Sequence, residues 1–262
     1  MANKSKKCLD NIFNQKEKVK FRATGNSQGG IAKVEASNEL IELFMSVLKM
    51  TSITLLILKL IQRLIQSIKG GQILGVTGVE YKEQPNPGLY LLGYCLQRGK
   101  PIPEEGEELI EVRDERLEKL MPSLNKWLIY YKRNQGSILD ELKYADNKNI
   151  HICELNITTF VQIGLWVITD DIPLEVAKFS FFGSNEFFTW EHLEVLLILN
   201  KHLRLAGIKK ATLTQDIAAC ISHNFRWKAI PRVIIDEWQR RYKFEIFPKN
   251  SDDKPPLYET VF

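Results

Sequence analysis

The longest regular pattern of apolar and polar positions lies in residues 38–69. Apolar residues recur there at spacings of three and four, at Ile53, Leu56, Ile57, Leu60, Ile61, Leu64, Ile65 and Ile68. This spacing predicts an amphipathic helix over residues 38–69, with Asn38 as its N-cap and Gly70-Gly71 as its stop. We interpret its apolar face as part of the core. The alternative is a cationic amphipathic helix that also contacts a membrane or a partner.

Strand-like patterns lie on both sides of this predicted helix. Residues 150–168 give the strongest β signal, because isoleucine, valine and threonine dominate them, and they predict a hairpin or two strands. Other stretches predict strands at 18–23, 31–36, 72–81, 126–133 and 175–182, and residues 89–99 are a short apolar element. Residues 100–108 form an acidic loop with two prolines.

The last third of the chain has helical patterns. We expect a helix that begins after Asn185 and ends at Gly207, and two further helices at 212–222 and 229–242. A short charged helix is expected at 111–121, where Pro122 stops it, and a last strand at 243–247.

Together these elements predict an α+β fold. We expect a single compact domain with a twisted, mostly antiparallel sheet packed by the long amphipathic helix, a helical C-terminal part and disordered ends. The expected organisation is a basic flexible arm at 1–30, an α+β core at 31–210, a helical extension at 211–248 and a disordered tail at 249–262.

Composition is that of an ordinary globular chain. Of 262 residues, 44% are hydrophobic and 26% are charged, with a net charge of +4. The cysteines are far apart and form no CxxC pair, which favours an intracellular reducing compartment over a disulfide or zinc framework: Cys8, Cys95, Cys153 and Cys220. The sequence has neither the pattern of a signal peptide nor an apolar run long enough to span a bilayer.

The charge is unevenly distributed along the chain. Residues 1–33 carry eight basic and two acidic residues, whereas residues 104–118 are strongly acidic. A basic arm predicts contact with anionic lipid or nucleic acid, and a solvated tail is the alternative. The candidate residues for membrane or nucleocapsid binding are Lys4, Lys6, Lys7, Lys16, Lys18, Lys20 and Arg22.

Signatures of catalysis and metal binding are missing from the sequence. It contains no phosphate-binding loop, dinucleotide fingerprint, zincin motif or nucleophile elbow. His192 and His202 lie ten positions apart, which does not suit adjacent metal ligands on a helix, so we interpret them as satisfied or surface histidines. The acidic group at Asp170, Asp171 and Glu175 is interpreted as a turn with a capping role. We expect no enzyme activity, no cofactor and no metal.

Residues 212–242 have some resemblance to a helix-turn-helix segment. Basic residues there are candidates for nucleic-acid contact: Arg226, Lys228, Arg232, Arg240 and Arg241. Val233, Ile234, Ile235 and Trp238 form a packing face. The favoured interpretation is therefore a core helix with a solvated basic side.

The C-terminal tail contains the sequence PPLY. Pro255, Pro256 and Tyr258 fit the P-P-x-Y pattern, which binds the aromatic groove of WW domains in a polyproline II conformation. Its position in a polar tail suits a ligand motif, so we expect a WW-domain host protein as a partner.

The order of these features resembles a rhabdovirus matrix protein. The resemblance depends on the lysine-rich arm, the PPxY-type motif, the helix leading into GGQILGVTGVEY, the segment YCLQRGKPIPEEG, the segment NITTFVQIGLWVITDDIPLEVAKF and the late helix FFTWEHLEVLLILNKHLRLAGIKK. It covers about residues 18–210, and the longer plant-infecting members are the better fit. PPLY lies at the opposite end from the motif's usual place in that family, and residues 211–250 extend beyond its compact body.

The resemblance implies a viral matrix-type structural protein of the virion. Such a protein would bind the inner membrane leaflet, bind viral RNA as it condenses the nucleocapsid, and promote assembly and budding through a late domain. It would self-associate, and it would occur in the host cytoplasm or nucleus. The alternative is a non-catalytic nucleic-acid-binding protein that uses the basic C-terminal helices, and an enzyme of unrecognised family is a third hypothesis.

Overall fold

The structure is a computed structural model that describes residues 9–15, 17–49, 60–83, 86–146, 157–170, 190–208 and 232–242. Its strands are β1 (Lys20–Ala23), β2 (Gln28–Glu35), β3 (Arg63–Ser67), β4 (Gly70–Lys82), β5 (Gly88–Cys95) and β6 (Glu108–Glu111). Its helices are α1 (Asn38–Lys49), α2 (Glu115–Asp146), α3 (Ile157–Asp170), α4 (Trp190–Leu205) and α5 (Arg232–Tyr242). Residues 9–14 are also helical.

The chain divides into two compact units. The first contains Met1–Lys132 and Ile168–Asp170, and the second contains Arg133–Val167 and Asp171–Phe262. The first unit holds all the described strands, whereas the described elements of the second unit are helical.

The sheet of the first unit is a closed barrel with the strand order β1-β2-β5-β4-β3-β6. The pairing of β1 with β6 closes it, and every pair is antiparallel. In β1, buried Phe21 and Ala23 alternate with the more exposed Lys20 and Arg22. Apolar residues therefore fill the barrel, and closure leaves no unpaired strand edge within it.

The prediction of a mixed helix-and-sheet fold with antiparallel pairing is confirmed, but the predicted twisted sheet is instead a closed barrel. The closing strand β6 is only four residues long, Glu108–Glu111. It lies where the acidic loop expected at 100–108 meets the helix expected at 111–121. A single alternation, with buried Leu109 next to exposed Ile110, is too short to be distinguished from a loop by pattern.

The predicted helix over residues 38–69 is wrong at its C-terminal end. Helix α1 spans Asn38–Lys49, and Arg63–Ser67 form strand β3 instead. Gly70 and Gly71 have φ of 93° and 91°, a left-handed conformation that glycine adopts readily. They act in the β3–β4 hairpin and do not stop a helix. Pairing of β3 with β4 and β6 therefore overrides the helical spacing of its apolar residues.

The predicted N-cap of α1 is also displaced by one residue. The backbone amide of Leu40 donates to Ser37 Oγ at 3.4 Å, and that of Ile41 donates to the Ser37 carbonyl at 3.0 Å. Ser37 is thus the cap, and Asn38 is the first helical residue.

Helix α2 replaces two predicted elements. It begins at Glu115, continues through Pro122 and includes residues 126–133, which the sequence indicated as a strand. Asp114 caps it, since its carboxylate accepts the Leu117 amide at 2.8 Å. Pro122 lies in the second turn, where its missing N–H costs one hydrogen bond but does not end the helix. Trp127 and Leu128 are buried as part of the helix's apolar face.

Helix α3 replaces the end of the strongest predicted β segment. It spans Ile157–Asp170 and buries apolar residues around its circumference, including Phe160, Val161, Ile163 and Leu165. A helix that is apolar on all sides has no amphipathic period. Its β-branched residues therefore suggested strands, although burial determines the structure here.

Several other predictions are confirmed. Strands β1 and β2 pair as an antiparallel hairpin, and β4 covers the strand expected at 72–81. Helix α4 lies within the predicted 186–207 helix, and Gly207 follows it with φ of 72°. Helix α5 lies within the predicted 229–242 helix. The elements predicted at 175–182, 212–222 and 243–247, and the 249–262 tail, lie outside the described residues.

Candidate anion-binding site

Charged side chains occupy the outer face of the barrel where β1, β2 and β5 adjoin. Lys20 and Arg22 project on the outward side of β1, since the intervening Phe21 is buried. The strand register places Arg22 opposite Lys33 of β2, and Lys33 opposite Tyr90 of β5. Side chains at paired positions share a face. These residues are therefore neighbours on the outside of the barrel.

Strand β4 adds a third lysine to this face. The ammonium of Lys82 lies over the Tyr90 ring, 5.2 Å from its centroid. We call the group Lys20, Lys33 and Lys82 the lysine face. Lys18 lies in the turn just before β1 and is exposed. Within the described part of the chain, none of these four lysines forms an ion pair with a carboxylate. Their charge is thus available to an external anion.

Arg22 differs from its lysine neighbours because its charge is neutralised. Its guanidinium lies 3.1 Å from the Glu35 carboxylate on β2 and 3.3 Å from the Glu108 carboxylate on β6. These pairs connect three adjacent strands of the closed barrel. Arg22 therefore acts mainly within the barrel surface, and its part in binding an anion is correspondingly reduced.

The remaining predicted site residues lie either outside the described residues or in the second unit. Lys4, Lys6, Lys7 and Lys16 lie outside the described residues, as do Arg226, Lys228, Pro255, Pro256 and Tyr258. Arg232, Arg240 and Arg241 all lie on helix α5.

On α5 the two final arginines have different environments. Arg240 is exposed. Arg241 lies 3.8 Å from the Glu237 carboxylate one turn earlier and 6.0 Å from the centroid of the Tyr242 ring. Part of the positive charge that the sequence assigned to this helix is therefore compensated within it.

A polar cleft of about 710 Å³ occupies another part of the first unit. Arg63 lines it and forms ion pairs with Asp10 at 2.6 Å and Glu111 at 3.1 Å. The Asp10 hydrogen bond raises the pKa of Arg63 against the opposing effect of burial. The guanidinium also lies 5.7 Å from the centroid of the Phe13 ring. Arg63 is thereby fixed and neutralised, so the cleft is a weaker anion site than the lysine face.

The second unit contains a buried ionic cluster. Glu141 of α2 contacts two residues of α4, Lys201 at 2.8 Å and His202 at 3.4 Å. Burial acts to raise the pKa of Glu141, but the contacts with His202 and Lys201 outweigh it and hold that pKa below its usual value. His202 is buried, and its Nε2 faces the Glu141 carboxylate. Nearby, Tyr242 donates a 2.6 Å hydrogen bond to Glu194.

The described residues include one buried cysteine and no cluster of metal-ligand type. Cys95 is fully buried, and burial raises the pKa of its thiol to about 12, which keeps it protonated and unreactive. No group of three or more His, Cys, Asp or Glu side chains that could hold a metal occurs among the described residues.

Lys82 and Tyr90 are the site residues that sequence reasoning missed, and Lys33 was counted only as part of the basic arm. The sequence feature that could have indicated Lys82 and Tyr90 is the segment EYKEQPNPGLYLL, in which a proline–glycine turn separates two strands. A hairpin at that turn pairs the end of β4 with the start of β5. The approach of β2 to β5 requires the barrel itself, and no local pattern indicates it.

The chain matches no protein-family model, no curated protein and no solved structure. Among the helices that the structure describes, none combines the length and the apolar character needed to cross a membrane.

Proposed function

We propose that this chain is a non-catalytic, matrix-type structural protein that binds an anionic membrane surface peripherally. The observation that supports the proposal is the lysine face, where three lysines that have no carboxylate partner among the described residues lie on one side of the barrel. A lysine near an anionic bilayer contributes about 1 kcal/mol to binding, and the attraction is lost beyond a Debye length. Lys20 and Lys33 would therefore bind the membrane together with Lys18 and with the predicted binding residues Lys4, Lys6, Lys7 and Lys16.

The finer parts of this proposal come from the resemblance to matrix proteins. The protein would bind at the inner leaflet in a reducing compartment, self-associate, and condense the viral ribonucleoprotein during assembly and budding. Its place would be the virion and the host cytoplasm or nucleus. Pro255, Pro256 and Tyr258 would recruit a WW-domain host protein. Two segments that carried the resemblance differ from it in structure, since β3 and α3 lie where a helix and a sheet were expected.

The first prediction concerns the lysine face. Lys20→Gln combined with Lys33→Gln removes two charges and leaves the barrel interior unchanged. Binding to phosphatidylserine-containing vesicles at low salt should weaken by about 2 kcal/mol, or about thirty-fold in affinity. Co-sedimentation with vesicles measures the effect. The matched control is Lys119→Gln with Lys126→Gln, which removes two charges from exposed positions on α2.

The control pair should reduce binding far less than the test pair. Equal losses in both variants would mean that net charge, and not the lysine face, attracts the membrane. The same proteins should then be titrated with single-stranded RNA. Tight RNA binding together with no vesicle binding would favour the alternative function, a nucleic-acid-binding protein, and would contradict the membrane proposal.

A further inference from the structure

Lys82 is held across β5 and reaches β2. Its ammonium lies 5.2 Å from the centroid of the Tyr90 ring, a geometry that allows a cation–π attraction. A Cβ at Gly30 of β2 would lie only 3.2 Å from Lys82 Nζ and 3.7 Å from Tyr90 Cβ. The missing side chain at Gly30 therefore provides the space in which the Lys82 ammonium lies.

Lys33 approaches the same ring from another direction. A Cβ at Gly88 would lie 3.0 Å from Lys33 Cε, 3.8 Å from Lys33 Nζ and 3.7 Å from Tyr90 Cε2. Glycine at position 88 thus leaves room for the lysine stem beside the outer edge of the ring. Tyr90 itself is fixed, since its hydroxyl donates to the Asn86 carbonyl at 2.8 Å. Two lysines are consequently placed around one immobile aromatic ring.

The electrostatics of this arrangement favour an anion. Lys33 and Lys82 lack carboxylate partners among the described residues, and like charges beside one another repel. Glu80 lies opposite Tyr90 in the register and is exposed. Among the described residues, it forms no ion pair with Lys33 or Lys82. Two compensating negative charges on one group would relieve the repulsion most effectively. A phosphate monoester carries about −1.5 to −2 charges at neutral pH, whereas a diester carries one.

We propose that Lys33 and Lys82, arranged around Tyr90, form a clamp for a phosphate monoester on the headgroup of an anionic lipid. This inference rests on the proposed membrane function and assigns it a lipid class. The two ammonium groups bind the phosphate oxygens through charge-assisted hydrogen bonds, while Tyr90 and the glycines at 30 and 88 keep the ammonium groups in position. Lys20 lies outside the clamp and contributes only general attraction.

The first test uses inorganic phosphate as the probe and NMR shifts of the full-length protein as the readout. Saturable shifts should occur at Lys33, Lys82 and Tyr90. Lys33→Gln or Lys82→Gln should weaken phosphate binding about ten-fold each, since each removes one charge-assisted contact. Lys20→Gln should leave it unchanged, and Lys82→Arg should retain most of it because the charge remains. Shifts that do not saturate, or that survive removal of both lysines, would overturn the clamp.

The second test separates the clamp from the proposed function. Vesicles that contain phosphatidic acid, a monoester, are compared with phosphatidylglycerol vesicles matched in measured surface charge. Wild type should prefer phosphatidic acid, whereas the Lys33→Gln, Lys82→Gln double variant should bind both lipids more weakly and without preference, because it loses the clamp together with two charges of the lysine face. Equal wild-type binding to both lipids refutes the clamp and leaves the membrane function standing. If wild type binds neither lipid, both the clamp and the proposed membrane function are refuted.

Discussion

At the scale of single residues, the barrel depends on a close contact between two strand backbones. Gly93 of β5 lies so near β4 that a Cβ there would overlap the carbonyl oxygen of Gly75. The same Cβ would lie 2.5 Å from Ile31 Cδ1 in the barrel interior. A side-chain tip can move, but the carbonyl belongs to the backbone of a neighbouring strand. Glycine at position 93 is therefore required by the packing of β4 against β5.

Gly93→Ala should consequently destabilise the barrel. Overpacking of a filled core typically costs 1–3 kcal/mol, and a collision with backbone lies at the upper end, so we expect a loss of about 3 kcal/mol. Chemical unfolding followed by circular dichroism measures it. Gly78→Ala in β4 is the control, because a Cβ there meets nothing within 4 Å, and its effect should stay within about 0.5 kcal/mol. If both variants are equally stable, β4 and β5 do not approach each other closely at Gly93.

At the scale of elements, the ionic cluster of Glu141, Lys201 and His202 connects α2 to α4 in the second unit. Its free energy depends on pH because the contacts hold the pKa of Glu141 below the usual 4.5. A carboxyl group whose pKa is lower in the folded state stabilises the fold fully above its unfolded pKa. That stabilisation is lost as the pH falls through the folded pKa. The cluster should therefore weaken in acid.

Glu141→Gln should lower the free energy of unfolding by about 2 kcal/mol at pH 7, since it leaves the buried His202 and the half-buried Lys201 without their carboxylate. The difference from wild type should shrink as the pH falls below 4.5, where wild type loses the same interaction. Urea unfolding at both pH values checks this. Asp140→Asn is the control at the adjacent exposed position. A pH-independent difference would mean that the glutamate acts through packing.

The elements also show how far sequence patterns could predict the fold. The β1–β2 hairpin was predictable, because buried and exposed residues alternate in β1 and Gly25 supplies a positive φ in the connection. Strand β3 was not predictable, since its apolar residues fit a helical period and only its pairing with β4 and β6 makes it a strand. In the candidate site, Lys18 and Lys20 could be identified from the sequence as basic residues. The clamp could not be predicted, because only the strand order brings Lys33 next to Tyr90.

At the scale of the whole molecule, charge placement matters more than total charge. The chain has 36 basic and 32 acidic residues, a net charge of only +4 and a sequence pI of about 8.7. A net charge this small gives little long-range attraction at physiological salt, where the Debye length is about 8 Å. Lys20, Lys33 and Lys82 are concentrated on one barrel face, while Arg22 beside them is paired with Glu35 and Glu108. A local field can therefore bind an anionic surface although the molecule is almost neutral.

Attraction by the net charge of the chain and attraction by the lysine face can be told apart near pH 8.7, where the net charge is close to zero. A local group of basic side chains acts on a nearby anionic surface whatever the total charge of the chain, because the field of more distant charges is screened within a Debye length. We expect binding to phosphatidylserine vesicles at about pH 8.7 to retain most of its pH 7 affinity and to fall when the salt is raised to about 1 M, where the Debye length is about 3 Å. Lys20→Gln with Lys33→Gln should weaken binding by the same factor at both pH values, since the same two charges are removed. Vesicle binding that disappears at pH 8.7 would mean that net charge drives association, and the lysine face would then have no special role.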